Sequence, residues 1–517
     1  MKKILANFSR VLVGLIFIFS GYVKVIDPLG SAYKFTDYFN AMHLSFMTDA
    51  SLFFAIVMSV AELVIGLCLV FNILPKLASW GVLLFMLFFT PLTLWLAVAN
   101  PVHDCGCFGD ALILTNWQTF YKNILILIFV IFIFIYRNKF KSIYNTFFQW
   151  IIAGLFTIMS VWLSFYCLKN LPIIDFRPYH IGANIIEGMT VPEDQINNVD
   201  VYESVFIYEK DGVQKEFKVD NLPDSTWKFV DAKHKLVKEG YKPPIHDFTI
   251  TPVYIPGHSP EHVEAEEVNL YDAEFMYTKN GETEYFTIDH LPDSSWKFEH
   301  VVYKSKIDPS LIRLVYLNPE GIEEVFNFHS LPGQNYTFID AFYFNNYSGD
   351  YHYGDDITDR VLADKNYYFI AVMYDLKKAD KKYLDRLNNV AKYCQENSYN
   401  FYCLTVSNEN DISEFVAEHK PVYQFYNTDP ITLKTIVRSN PGLLLLKDAT
   451  IIDKWAARNI PDFQNFKGDL QRYSLSKQRK YFEDMRSGFI LFSLLLFMSL
   501  FTNFYNWMKN NKYINNN

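Results

Sequence analysis

Cysteine is scarce, six residues in 517, which is too few for a disulfide-built scaffold. Basic charge is not in excess either. Lys and Arg number 47 against 56 Asp and Glu, a net charge of −9, so nothing in the charge balance supports nucleic-acid binding. The segment from Asn100 to Asn116 has no Lys or Arg at all. A disordered composition is also missing: Phe, Tyr and Trp number 47, 35 and 9, and disorder is not expected outside the tail. Apolar residues make up half of the chain, yet mean hydropathy is only +0.03. They gather at the N-terminus and in one block near the C-terminus, which excludes both a wholly soluble and a purely membrane protein. The length suits about three or four domains.

A bilayer-spanning helix needs about 20 apolar residues. Runs of that kind occupy roughly Ser9–Ile26, Leu52–Leu74, Leu77–Ala99, Trp117–Tyr136 and Phe147–Leu168, with a sixth at Phe489–Phe504. The first lacks a small-residue cleavage site and is followed by four more, so it reads as an uncleaved anchor. Lys2, Lys3 and Arg10, then Lys76, then Arg137, Lys139 and Lys141 mark inner loops. The loop Asn100 to Asn116 therefore falls outside, as does everything from Lys169 to Arg486, and the last helix returns the tail inside with Lys509 and Lys512. Arg472, Lys477, Arg479, Lys480 and Arg486 run against this assignment, but long translocated domains tolerate such charges. Trp80, Trp95 and Trp117 sit near span ends as interface anchors, and Pro91 predicts a kink in the third span.

The outer region contains a repeat. Phe206 to Gly212 matches Phe275 to Gly281, and Leu222-Pro223-Asp224-Ser225-Thr226-Trp227-Lys228-Phe229 matches Leu291-Pro292-Asp293-Ser294-Ser295-Trp296-Lys297-Phe298. A weaker third copy has Gly321, Phe326, Leu331-Pro332, Tyr336 and Phe338. Asp211-Gly212 and Asn280-Gly281 are hairpin-turn dipeptides, so each copy predicts a β-hairpin with its Trp packed on the sheet, a spacer or partner-binding module. From Asp356 onward strand and helix patterns alternate: strands at Tyr367–Tyr374, Asn400–Val406, Leu443–Lys447 and Ile451–Trp455, helices at Leu384–Gln395 and Ile412–His419. This βαβαββ order resembles a thioredoxin-fold domain, with Ser439-Asn440-Pro441 at the place of that family's cis-proline loop. Where the family carries Cys-x-x-Cys, this chain has Tyr374-Asp375-Leu376-Lys377-Lys378-Ala379-Asp380, so the usual exchange chemistry is excluded there. Pro243 to Ile250 resembles the opening strand of peroxiredoxin-like members, which makes two hairpin units insertions. Cys394 and Cys403 in this domain read as buried unpaired thiols in preference to a bridge, and Cys68 and Cys167 in the spans read as packing residues.

Chemistry concentrates in the outer loop, which reads Asn100-Pro101-Val102-His103-Asp104-Cys105-Gly106-Cys107-Phe108-Gly109-Asp110. A Cys-x-Cys disulfide is strained and hence oxidising, and His103 is placed to accept a proton or steady a thiolate. Three readings are open. One is a redox dithiol. The second is a metal site built from His103, Asp104, Cys105, Cys107 and Asp110, and the third is a structural disulfide. Glu62, inside a span, either serves a proton relay or a quinone contact, or hydrogen-bonds to Thr90, Thr93 or Asn123. Lys24 and Asp27 read as an interfacial pair.

Arg10, Gly14, Phe17, Ser20-Gly21, Lys24 and Asp27-Pro28, with Ala61-Glu62-Leu63 and Gly66, resemble the first two helices of the DoxX family. The Asp104 to Asp110 loop narrows the likeness to its MauE-like branch. That resemblance covers about residues 1–170 and implies a four-helix membrane core, here with a fifth helix. MauE-type proteins are linked to maturation of methylamine dehydrogenase, a disulfide-rich periplasmic enzyme. The resemblance implies thiol-redox support rather than methylamine use.

The expected architecture is multi-domain: an α-helical membrane bundle at 1–170, a β-rich region with the first hairpin at 171–242, and an opening strand with the inserted hairpins at 243–355. A thiol-less thioredoxin-like domain at 356–470 and a final membrane helix at 487–507 complete it. The expected function is disulfide maturation of exported clients by an inner-membrane protein with residues 169–486 in the periplasm. Cys105, Cys107, His103 and Glu62 would act, with quinone as the candidate carrier and a periplasmic client or redox partner. The rivals are a metal-handling membrane protein and a non-enzymatic scaffold.

Overall fold

The computed structural model describes residues 2–102, 104–199, 201–210, 213–218, 222–224, 226–238, 240–255, 258, 273–279, 282–287, 290–293, 295–303, 312–319, 321, 323–327, 335–343, 355–463, 470–474 and 476. His103, the Asp211-Gly212 and Asn280-Gly281 turns, Leu331-Pro332 and the span expected at Phe489–Phe504 lie outside the described residues.

The N-terminal part is a helical bundle: α1 (Lys2–Ile26), α2 (Pro28–Ala41), α3 (Ser51–Phe71), α4 (Pro75–Ala99), α5 (Asn116–Tyr136) and α6 (Thr146–Lys169). Among the described residues, all but α2 are long and apolar enough to cross a membrane. The expected spans fall on these five, and α4 runs on through Pro91 as one helix. Small residues set the closest contact. A Cβ on Gly21 of α1 would lie 2.5 Å from the backbone nitrogen of Leu63 in α3, and one on Gly66 would lie 2.6 Å from that of Ile18. This is the small-residue packing that lets two backbones approach in a membrane. Gly21→Ala must push α1 off α3, at about 1–3 kcal/mol. A fall in the thermal unfolding midpoint of the purified protein checks this.

At the bundle end holding the N-terminus, the Arg10 guanidinium donates to the carbonyls of Leu69 and Val70. The Asn72 amide there donates to the Lys141 carbonyl at 2.7 Å. The opposite end carries the loop between α4 and α5 and the start of the outer region. The short helix α2 also lies at that end and was not expected. Its start is built from Asp27, whose carboxylate accepts from the Gly30 amide at 3.0 Å, and from Pro28 at the first helical position.

Beyond α6 come α7 (Ile185–Met189), β1 (Val201–Lys210), β2 (Val213–Lys218), β3 (Lys228–Lys238) and β4 (Thr251–Pro252). Next are β5 (Ala273–Lys279), β6 (Glu282–Phe286), β7 (Lys297–Tyr303), β8 (Ile312–Leu317), β9 (Glu323–Asn327) and β10 (Thr337–Tyr343). The repeat units are three-stranded antiparallel sheets rather than hairpins, in orders β2-β1-β3, β6-β5-β7 and β10-β8-β9. The extra strand follows from an aromatic chain. In the first unit Trp227 packs on Phe217 at 5.2 Å, Phe217 on Tyr208 at 5.8 Å and Phe229 on Tyr208 at 5.6 Å. Trp296, Phe286, Tyr277 and Phe298 repeat this, and so do Tyr336, Phe326, Tyr316 and Phe338.

The rest is α8 (Thr358–Leu362), β11 (Tyr367–Val372), α9 (Leu384–Glu396), β12 (Asn400–Thr405), α10 (Glu409–His419), β13 (Phe425–Asn427), α11 (Pro430–Ile436), β14 (Gly442–Lys447) and β15 (Thr450–Ala456). These strands and β4 form one sheet in the order β15-β14-β11-β12-β13-β4. β11, β12 and β13 are parallel, while β14, β15 and β4 run antiparallel to their neighbours. Side chains alternate across it. Phe369, Ala371, Leu443 and Leu445 meet Leu387 of α9 and Ile412 of α10 on one face. Tyr368, Ile370, Leu444 and Leu446 meet Val361 of α8 and Leu433 of α11 on the other. β13 and α11 were not anticipated, because β13 spans only three residues. The Asn440–Pro441 bond is cis, and Cys394 and Cys403 are buried and free.

Candidate functional site

The Cys-Gly-Cys loop is held at both ends before its chemistry begins. The Asn116 amide at the start of α5 donates to the Asn100 side chain at 2.9 Å and to the Val102 carbonyl at 2.8 Å, which closes the loop at its base. Gly106 and Gly109 take φ of +63° and +52°, conformations that favour glycine. The Asp104 carboxylate accepts from the Gly106 amide at 2.8 Å and pairs with Lys34 of α2 at 2.8 Å. The Tyr38 hydroxyl, also from α2, donates to the Cys105 carbonyl. On the other side the Ser20 hydroxyl of α1 donates to the Cys107 carbonyl at 2.7 Å.

This clamp brings the two sulfur atoms to 2.9 Å, with both cysteines free. Cys105 is buried and Cys107 half-buried. The hydrogen bond from the Cys105 thiol, with Lys122 and Lys24 behind it, lowers Cys107 to about 6 against the opposing effect of burial. The same bond, together with burial, holds Cys105 well above the ordinary thiol range. Lys122 of α5 also lies 4.2 Å over the Phe108 ring, which steadies the loop exit.

Glu62 is buried, and its partner is none of Thr90, Thr93 and Asn123. It pairs with Lys24 at 2.7 Å, and Lys24 also donates to Ser20 at 2.9 Å. Asn123 instead donates to Thr93 at 3.2 Å. The Lys24–Asp27 pair is therefore replaced. The close approach of α1 to α3 hands Lys24 to Glu62, and Asp27 turns to Arg438, immediately before the cis-prolyl loop. Arg438 donates to both Asp27 oxygens at 2.9–3.0 Å and reaches Asp110 at 3.2 Å. Burial alone would raise the Asp27 carboxyl, but Arg438, with Arg177 further off, holds it below the usual range. Asp110 lies above that range because burial outweighs the same cation.

Among the described members of the expected metal set, Cys105 and Cys107 meet each other. Asp104 and Asp110 are turned to cations, and His103 lies outside the described residues. Among the described residues no group of three or more His, Cys, Asp or Glu could hold a metal ion. Sequence reading missed Lys34, Tyr38, Lys122 and Arg438. The first two sit on the unexpected α2, while Arg438 is 411 positions from Asp27 with no local signature.

A cavity of about 1050 Å³ joins these groups. Cys105, Cys107, Lys24 and Glu62 line it, together with Phe17 and Phe89 from the middle of their spans.

Two family models match parts of the chain. A domain of unknown function, DUF8463, matches residues 202–239 and 271–304, the first and second repeat units. The model described as methylamine utilisation protein MauE matches residues 2–136, from the start of α1 to the end of α5. No curated protein and no solved structure matches the chain. Residues 2–136, which include the Cys-Gly-Cys loop, Lys24 and Glu62, are a MauE-like membrane domain.

Proposed function

We propose that Cys105 and Cys107 are a thiol–disulfide exchange pair on the outer, periplasmic face of the inner membrane, oxidising exported client proteins. The single observation that carries this is the 2.9 Å contact between the two free sulfur atoms, and the lowered Cys107 thiol that follows from it supports the reading. Basic residues support the sidedness: Lys76, Arg137, Lys139 and Lys141 belong to the bundle end away from the loop. In the oxidised state a client thiolate attacks Cys105 and expels Cys107, the better leaving group because its thiolate is stabilised. A second client thiolate then attacks the mixed disulfide. The client gains an S–S bond, and two electrons now reside on the loop as Cys105 thiol and Cys107 thiolate. A membrane quinone would supply the oxidant for the return step, accepting the two electrons and two protons as Cys105 and Cys107 rejoin. The aromatic-walled cavity is the route by which such a ring reaches the sulfurs. Lys24 and Glu62 are the groups that handle protons beside it. The α/β domain, thioredoxin-like in topology and without the Cys-x-x-Cys, docks the client or partner.

Alkylation of the reduced full-length protein tests the site chemistry. Because its pKa is depressed, Cys107 is ionised above about pH 6 and loses its charge as pH falls through that value. Its alkylation rate is expected to reach half its plateau near pH 6, well below the ordinary thiol range, and to fall as pH drops further. Lys24→Gln removes a positive neighbour and raises the midpoint. A midpoint in the ordinary thiol range, about 8.5, would overturn the proposal.

A further inference from the structure

A second cavity, of about 570 Å³, lies where the end of α6 meets the α/β domain. Leu168 and Lys169 form part of its wall, and Lys169 ends the apolar span Thr146–Lys169, so the cavity stands at the depth of lipid headgroups. Lys382, Arg386 and Arg458 add three more cations against one carboxylate, Asp380. The local surplus is positive in a chain whose net charge is −9. All four cationic side chains are exposed. None of them forms an ion pair among the described residues. Arg386 donates to the carbonyls of Arg458 at 2.8 Å and Ile460 at 3.1 Å, which fixes its guanidinium at the rim. Asp380 is engaged as an acceptor for the Lys382 amide at 3.2 Å. Asn440 belongs to the same wall; its side-chain oxygen is buried without a hydrogen-bond partner among the described residues, while its amide donates to the Asp375 carbonyl at 2.7 Å. A buried acceptor of this kind calls for a donor.

We propose that this cavity binds the headgroup of an anionic glycerophospholipid of the outer leaflet. The phosphate lies among the four cations. Arg and Lys suit phosphate oxygens, Arg by its planar fork and Lys as a point charge. Such a lipid pins the α/β domain to the membrane surface beside α6. The inference rests on the sidedness proposed above, which places α6's end at the outer leaflet, and not on the thiol chemistry.

The test uses the full chain in detergent with three probes: short-chain phosphatidylglycerol, short-chain phosphatidylcholine and inorganic phosphate, with binding followed by titration calorimetry. Phosphatidylglycerol is expected to bind saturably and more tightly than either other probe. Each removed cation weakens binding by about fivefold, so K382Q with R458Q lowers affinity about 25-fold. D380N removes the opposing charge while keeping its acceptor oxygen, and is expected to tighten binding, a result that general damage to the fold cannot produce. Equal binding of the two lipids, or no loss in the double variant, overturns the proposal. So does a D380N variant that fails to tighten. Inorganic phosphate binding as tightly as phosphatidylglycerol would assign the cavity to free anions and overturn the lipid assignment.

Discussion

Cys107→Ser is expected to reduce oxidation of a reduced dithiol peptide by roughly 10³-fold, the scale on which loss of a reacting group is read. The assay pairs the purified full-length protein with a soluble quinone. Cys105→Ser should give the same loss, and the double variant no more, because one sulfur alone cannot form the loop disulfide. Such non-additivity marks residues that act as a unit. Cys394→Ser and Cys403→Ser serve as controls. Both thiols are buried and pushed up by burial, Cys403 beyond the range in which a thiol ionises near neutrality, so the rate should not change. A structural loop disulfide would instead lower stability in the loop variants and leave peptide oxidation at its wild-type rate. The Cys107 thiolate also sets a pH direction. Above about 6 it stabilises the reduced pair, so relative to a client dithiol whose thiols stay protonated the oxidised loop gains oxidising power from pH 5 to pH 7.

The second large effect concerns Arg438, which ties the α/β domain to the membrane domain. Its side chain is 7% exposed and its main partner Asp27 is 18% exposed. Removing one member of a buried pair strands the other, and Arg438→Gln is expected to cost about 3 kcal/mol. Most of this belongs to Asp27, since Asp110 is 38% exposed and solvent screens it. Thermal unfolding of the purified protein reads the loss. Asp27→Asn combined with Arg438→Gln should cost clearly less than the two single changes added together. Acid has two opposite effects. Asp27 is depressed, so its contribution is full above its unfolded value and disappears as pH falls through the lower folded one. Asp110 is raised, so its contribution is present below its unfolded value and lost as pH rises through the folded one. Mild acidification should therefore not weaken the contact, and stronger acidification should.

The parts legible in the sequence were those written locally. Five spans could be read because a bilayer imposes a fixed apolar length. Cys105 and Cys107 stood out as neighbours in a loop without basic residues. The strands β11, β12, β14 and β15 showed as buried apolar runs bounded by turns. What escaped was either short or distant. α2 carries few buried residues, and its only announcement is the Asp27-Pro28 start. β13 has three residues and is held by its neighbours rather than by its own pattern. The third strand of each repeat unit followed a Leu-Pro that read as a stop, and the aromatic contacts that restore it join separate strands. Glu62 stood out as a carboxylate inside a span, but its partner depended on the Gly21 contact that brings Lys24 alongside. Arg438 had no local signal, since its meaning comes only from docking.

The most direct test is differential labelling of Cys105 and Cys107 in intact cells with a maleimide that cannot cross the inner membrane. The sulfurs are expected to resist labelling as isolated, because they are joined. They should accept it after an external reductant without permeabilisation, and close again when the reductant is removed. Labelling that requires permeabilisation, or thiols that remain reduced under oxidising conditions, would contradict the account.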